Sequence, residues 1–383
     1  MKAMILGAGK GSRLHPITDQ TPKPLVPLVG QRMLDLIINK LSSQGIKEIV
    51  VNTSHLGNQI DEVYQAGRQM GVELLCSYEG VVEGGELLPQ PLGSAGAIRK
   101  VQQKWDYFDD TFVVVCGDAY FDFDIWEAIR SHYQRDALAT VIVKEVEPEV
   151  LNKYGVVNFD DDCRVTSFQE KPSVHEALSR KVNTGIYIFS KEIIEMIPKE
   201  GACDIGSELL PMLVSKGLDF YIHETDRTWL DIGNLQDIHS STRAVLNEET
   251  DIDIPGRRFS SSVWIAPSVI IRPETVVMRG PIFVDTGSEV ESDAVIEGPT
   301  VVGRNCVVRS GARLTRTVVL GDHLEFSASC QLTDRIVTDE HVIDLDGNYC
   351  SLAQAGIIDA RQISRHAERI EKINPSLKSK SAI

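Results

Sequence analysis

Met4-Ile5-Leu6-Gly7-Ala8-Gly9-Lys10-Gly11-Ser12-Arg13-Leu14-His15-Pro16-Ile17-Thr18-Asp19-Gln20-Thr21-Pro22-Lys23-Pro24-Leu25 decides the reading of this chain. Met4, Ile5 and Leu6 read as a short buried strand. Gly7, Gly9 and Gly11 then form a loop without side chains, in which backbone amides can approach a ligand closely. Such amides, arranged as a nest, attract phosphate oxygens. Arg13 and Lys23 add two cations. The combination predicts a nucleoside triphosphate site that includes Leu6, Gly7, Ala8, Gly9, Gly11 and Ser12. The stretch fits neither the P-loop spacing nor the dinucleotide fingerprint. A bare strand-to-helix turn accounts for the glycines, but leaves Arg13, Pro16, Pro22, Lys23 and Pro24 without a reason.

Outward from this stretch, the first 240 or so residues alternate strand and helix patterns. Met33, Leu34, Ile37, Ile38 and Leu41 recur at helical spacing and Gly45 reads as the stop. Ile49–Val51 and Val72–Cys76 read as strands, with helices over 59–68 and 95–105. Phe112–Cys116 is a continuous apolar strand. The alternation predicts a mostly parallel, Rossmann-like α/β sheet covered on both faces, with ligands beyond the carboxyl ends of its strands. Over 139–190, short strands at 139–146, 154–159, 164–170 and 184–189 predict a partly antiparallel portion for a second substrate. A helix over 235–246 links to the next section.

There the period changes to six. Met278, Val284, Val290, Ile296, Val302, Val308, Leu314, Leu320, Phe326 and Leu332 are all apolar. Fixed periods of this kind signal coiled, repeating folds. Ser288, Ala294, Thr300, Cys306 and Ala312 stand two residues before successive hits and suit tight inside corners. The expected division is a domain over 1–240, a linker over 241–258, a β-helix over 259–350 and a tail over 351–383. The tail is read as helical over 359–373 and frayed at its end.

The length, 383 residues, supports two domains. A net charge of −16, from 39 basic and 55 acidic residues, argues against binding nucleic acid or an anionic membrane surface. The seven cysteines are odd in number and form no Cys-x-x-Cys pair, which disfavours a zinc site or a disulfide framework and suits a reducing cytoplasm. No signal peptide is read before the first strand, and no apolar run approaches the ~20 residues of a bilayer span.

Asp118, in Cys116-Gly117-Asp118, and Asp231, in Trp229-Leu230-Asp231-Ile232-Gly233, follow strand patterns in distant parts of the chain. Triphosphate chemistry needs a divalent ion held by one or two carboxylates, phosphate oxygens and water. Singly, each aspartate reads as a turn or cap residue; with the glycine loop, they read as a metal pair.

The opening stretch resembles the signature of the sugar-phosphate nucleotidylyltransferases. Four further motifs match that family in order: Leu92-Gly93-Ser94-Ala95-Gly96, Gly117-Asp118, Glu170-Lys171-Pro172 with Asn183-Thr184-Gly185-Ile186-Tyr187, and Trp229-Leu230-Asp231-Ile232-Gly233. The resemblance implies that Arg13 holds the departing pyrophosphate and that Lys23 bridges the α-phosphate and the incoming sugar phosphate. It implies Mg²⁺ on Asp118 and Asp231, with Gly93 and Gly96 along the nucleobase. It implies a sugar-phosphate pocket of Gly155, Glu170, Lys171, Asn183 and Thr184. Glu79–Pro91 is longer than the family's connector, so the residue that meets the base edge is left between Glu86 and Gln90.

The six-residue repeat resembles a left-handed hexapeptide β-helix, as in mannose-1-phosphate guanylyltransferases. The long insert resembles that of cyanobacterial UDP-glucose pyrophosphorylases. The expected reaction is UTP with glucose 1-phosphate, GTP with mannose 1-phosphate being the alternative, in a homo-oligomer assembled through the β-helix. Two further readings are a silent nucleotide-sugar sensor, disfavoured by the intact motif residues, and an acyltransferase. The latter would need His323 or His341 on a coil, and both fall where the repeat decays.

Overall fold

Along the strand Lys2–Leu6, Ala3 and Ile5 face one side of a sheet, Met4 faces the other, and all three are fully buried. Burial on both faces is the condition for a continuous apolar run rather than an alternating one. The computed structural model describes residues 1–64, 70–83, 86–271 and 276–362. It divides into two compact units. The first comprises Met1–Ser12, Thr18–Val26 and Arg32–Gly233; the second comprises Arg13–Ile17, Pro27–Gln31 and the chain from Asn234 onward.

The first unit holds a nine-stranded sheet. Lys2–Leu6 lies in parallel between Glu48–Thr53 and Phe112–Cys116, and Glu73–Tyr78 extends this parallel part. The other half is mixed. Lys181–Phe189 runs antiparallel to Phe112–Cys116 and to Ala139–Glu145, while Ala139–Glu145 pairs in parallel with Phe220–Thr225. Gly155–Phe159 and Val165–Glu170 close the edge as an antiparallel pair. The mostly parallel reading therefore holds for the first half of the sheet. The expected antiparallel portion is as much a part of the same sheet as the opening strands.

Helix Met33–Ser43 covers one face with Leu34, Ile37, Ile38 and Leu41, and ends before Gly45, whose φ of +84° suits a residue without a Cβ. Helix Ser94–Trp105 covers the other face with Ala95, Ala97, Ile98 and Val101. The expected helix over 59–68 is seen as Gly57–Tyr64, with 65–69 outside the described residues.

In the second unit, helix Leu235–Leu246 starts at a capping box: Asn234 accepts from the Asp237 N–H and Asp237 accepts from the Asn234 N–H. Beyond it, strands stack in parallel columns. Val277, Val295, Arg313 and Gln331 face one another in succession, a step of 18 residues, or three sixes. A second column runs through Glu289, Val307 and Glu325 with the same step. Ser288, Ala294, Thr300, Cys306 and Ala312 are fully buried, as are Val284, Val290, Ile296, Val302, Val308, Leu314 and Phe326.

The pattern slips at Leu320, which is only half-buried. There Val301 faces Val318, one residue short of the regular step, and Val319 turns inward instead. The parallel columns end with Gln331–Val337, and His341–Asp344 and Tyr349–Ser351 continue as antiparallel strands at the end of the 259–350 stretch expected as a β-helix. Strand Ile357–Asp359 pairs with Leu324–Phe326 ahead of the expected tail helix, whose described part is helical backbone over 360–362; its remainder lies outside the described residues. All seven cysteines are free thiols.

Candidate active site

Leu6 faces Asn52 on one neighbouring strand and Cys116 on the other, so the chain leaves all three strands at one carboxyl edge. The Gly7 N–H donates to the Asn52 carbonyl at 3.1 Å and to its Oδ1 at 2.8 Å. The Gly117 N–H donates to the Leu6 carbonyl at 2.9 Å. A Cβ on Gly7 would lie 2.9 Å from the Asn52 carbonyl oxygen, and one on Gly117 2.8 Å from that of Leu6. Both glycines are therefore set by close backbone approach.

Gly11 differs. Its φ is +67°, and the Thr18 hydroxyl donates to its carbonyl at 2.9 Å. Gly9 has open space where a side chain would be, and is exposed between half-buried Ala8 and Gly11. Ser12 and Arg13 open the short turn Ser12–Leu14, both exposed; of the expected residues, Arg13 alone belongs to the second compact unit.

Lys23 begins the turn Lys23–Leu25, flanked by Pro22 and Pro24, and its ammonium pairs with Asp118 Oδ2. Trp229–Asp231 runs antiparallel to Ala119–Phe121 with Asp231 opposite Ala119, and the Ile232 N–H donates to the Asp118 carbonyl at 3.0 Å. The two aspartates thus sit one position apart across a two-strand ladder. Under them lies Cys116, whose thiol is pushed well above its ordinary range by burial and then by the Asp118 and Asp231 charges.

This donor set fits Mg²⁺, which takes one or two carboxylates and completes its shell with phosphate and water. Among the described residues no cluster of three or more acid, His or Cys side chains offers a full protein cage.

Leu92–Gly96 heads helix Ser94–Trp105, but Ser94 is not its cap. Gly93 occupies that position with φ +73° and no side-chain bond. A Cβ there would lie 2.3 Å from the Cys203 carbonyl oxygen. That oxygen accepts the N–H groups of Ala95 and Gly96 at 3.0 Å each, so the Gly96 amide is directed into the protein.

The long insert is a hairpin of Gly80–Glu83 and Glu86–Pro89, which sets Glu86 on its second strand. Gln90 is exposed and donates its N–H to the Glu79 carbonyl at 3.0 Å. Sequence reasoning missed Glu79 itself. This buried carboxylate accepts from Asn52 Nδ2 at 2.5 Å and from the Leu92 N–H at 2.8 Å. Asn52 in turn holds Gly7, so Glu79 joins the two loops expected to carry the nucleotide. Its only sequence signal is an acid directly after an apolar strand.

On the other half of the sheet, Gly155 faces Glu170 across a ladder. A Cβ on Gly155 would lie 2.5 Å from Phe168 Cζ and 3.3 Å from Glu170 Oε2. Lys171 is exposed with φ +47° and pairs with Glu170 at 2.9 Å. Asn183 donates from Nδ2 to the Tyr187 hydroxyl at 2.8 Å and accepts the Gly185 N–H at 2.9 Å. Thr184 is buried. Its hydroxyl donates to the Ile142 carbonyl at 2.8 Å, and its own carbonyl accepts from Trp229 Nε1 at 3.0 Å, so its hydroxyl and its carbonyl are both held by protein groups.

The family model described as "Nucleotidyl transferase" matches residues 2–248. The chain is 40% identical over 297 residues to the UTP--glucose-1-phosphate uridylyltransferase of Synechocystis sp., covering 77% of this chain and 76% of that protein. It is 29% identical to the mannose-1-phosphate guanylyltransferase catalytic subunit beta of Drosophila pseudoobscura pseudoobscura, covering 73% of this chain and 71% of that protein. Among solved structures, HddC from Yersinia pseudotuberculosis is similar at 26% identity and a TM-score of 0.54, over 64% of this chain and 99% of that one. On the match over 2–248, the chain belongs to the nucleotidyl transferase family.

Proposed function

We propose that this enzyme joins UTP and glucose 1-phosphate to give UDP-glucose and pyrophosphate. The observation that carries the reading is the pairing of Lys23 with Asp118, with Asp231 on the adjoining strand. These groups supply fixed charge of both signs at the strand edge from which the glycine loop departs. An oxygen of the sugar phosphate attacks the α-phosphorus in line and pyrophosphate leaves, so no protein nucleophile is needed. Catalysis then rests on positioning and charge stabilisation.

The Lys23 ammonium bridges the α-phosphate and the incoming sugar phosphate. Glu170 accepts from a sugar hydroxyl, and Lys171 holds the sugar phosphate. Asp118 and Asp231 hold Mg²⁺, which when bound neutralises charge on the triphosphate oxygens. The 40% identity to a uridylyltransferase favours UTP and glucose 1-phosphate.

The reading extends to the rest of the chain. The 18-residue step and six-residue period support a left-handed β-helix after the 1–240 domain and the 241–258 linker, and this helix is the proposed surface of homo-oligomer assembly. The seven free thiols accord with a cytoplasmic setting. The test is pyrophosphate release from each of four triphosphates paired with glucose, mannose and galactose 1-phosphates. Release fastest with UTP and glucose 1-phosphate supports the reading; preference for GTP and mannose 1-phosphate replaces it with the alternative.

A further inference from the structure

Cys203-Asp204-Ile205-Gly206 belongs to none of the motifs above, yet it touches both halves of the proposed site. Cys203 takes the Leu92–Gly96 loop from two sides: its N–H donates to the Leu92 carbonyl at 2.9 Å, and its carbonyl accepts from Ala95 and Gly96. The Ser94 hydroxyl donates to Asp204 Oδ2 at 2.8 Å and accepts the Ile205 N–H at 2.7 Å. The other oxygen, Asp204 Oδ1, accepts the N–H groups of Gly206 at 2.9 Å and Ser207 at 3.1 Å. The Asp204 N–H donates to Glu208 Oε1 at 3.0 Å.

Gly206 leads directly to the sugar side. A Cβ on it would lie 3.2 Å from Glu170 Oε2, and one on Gly155 would lie 3.3 Å from the same oxygen. The Glu170 carboxylate is therefore seated between two glycines, and Asp204 fixes one of them. The Asp204 charge also contributes, after burial and nearer groups, to raising the Tyr187 phenol, which binds Asn183. A carboxylate with each oxygen committed to a different loop fixes the distance between those loops, because losing either bond leaves donors unmet.

We infer that Asp204 is a positioning residue that couples the nucleotide-side loop at Leu92–Gly96 to the sugar-side carboxylate of Glu170. The inference rests on the nucleotidyl-transfer reading above. It predicts that Asp204 supports the binding of both substrates from a position held by protein groups, and that Gly206 supports only one.

The experiment is calorimetric binding of UTP and of glucose 1-phosphate to the full chain, with kcat and both KM values. Each variant is first checked for a wild-type circular dichroism spectrum. Asp204→Ala should weaken both ligands, each by about tenfold, more in KM than in kcat. Asp204→Asn keeps the helix-capping oxygen and should recover most of the affinity. Gly206→Ala should weaken glucose 1-phosphate and leave UTP within about twofold. Asp204→Ala that leaves both affinities unchanged, or lowers only one, overturns the inference while the wild-type activity keeps the functional reading intact. Equal losses in Asp204→Asn and Asp204→Ala also overturn it, since charge rather than loop spacing would then be the property in use. A wild type that binds neither UTP nor glucose 1-phosphate overturns both.

Discussion

The ammonium of Lys23 rests on the Oδ2 oxygen of Asp118, 95 residues further along the chain. Both side chains are largely shielded from water, so the pair holds an ammonium and a carboxylate together at the strand edge. Lys23→Ala should lower turnover by at least ~100-fold, the scale of losing a charge that stabilises a transition state. Lys23→Arg keeps the charge but not the point geometry, and should recover less than a tenth of the activity. Steady-state pyrophosphate release measures both.

Glu79 gives a prediction that separates stability from chemistry. Glu79→Ala leaves the Leu92 N–H and Asn52 Nδ2 without their acceptor, a loss of about 2–3 kcal/mol. Glu79→Gln sets an amide N–H₂ against one of two donors and should cost about 1 kcal/mol. Urea unfolding gives these values. The KM for the triphosphate should rise in both variants, because the Gly7 and Leu92 loops lose their shared brace.

His132 supplies a pH dependence. It is buried, with Nδ1 against the Thr140 hydroxyl at 2.9 Å and Nε2 against the Ser190 hydroxyl at 3.0 Å. Burial lowers its pKa from the ordinary 6.5 to about 4. Between these values the unfolded chain binds the proton and the folded chain does not. Its contribution is therefore complete above the unfolded pKa and is lost as pH falls through the window, on the order of 3 kcal/mol in all. The melting temperature should fall on acidification from pH 7 to 4.5, and His132→Gln should flatten that slope.

The repeat section allows a paired test. Phe326 and Leu320 both stand on the six-residue period, but Phe326 is fully buried and Leu320 is not. Phe326→Ala should cost about 3–5 kcal/mol. Leu320→Ala should cost less than about half of that, since Val319 has taken the inward position. Denaturant unfolding of the two variants decides it.

Much of this architecture is legible in the sequence because single residues carry strong local signals. Continuous apolar runs at 4–6, 49–51 and 112–116 mark three strands of the sheet, and Leu235 after Asn234 marks the linking helix. The six-residue period survives because only small side chains fit at Ser288, Ala294 and Ala312. What was not legible depends on partners distant in the chain. Nothing near Thr184 says that its hydroxyl is spent on Ile142, nor near Gly96 that its amide meets Cys203. Glu79 and Asp204 are ordinary acids until folding encloses them. The insert after Glu79 carries no periodic pattern long enough to mark an element, and it holds a hairpin of two four-residue strands.

The central claim is that Asp118 and Asp231 act together as the two carboxylates of one divalent-ion site serving nucleotidyl transfer. The direct measurement is pyrophosphate release from UTP and glucose 1-phosphate as Mg²⁺ is titrated, in the wild type and in Asp118→Asn and Asp231→Asn. The account predicts no release after chelation, restoration by Mg²⁺ in the wild type, and losses of at least ~100-fold in each variant with melting temperatures close to wild type. Full release from either variant at the wild-type Mg²⁺ requirement would contradict it.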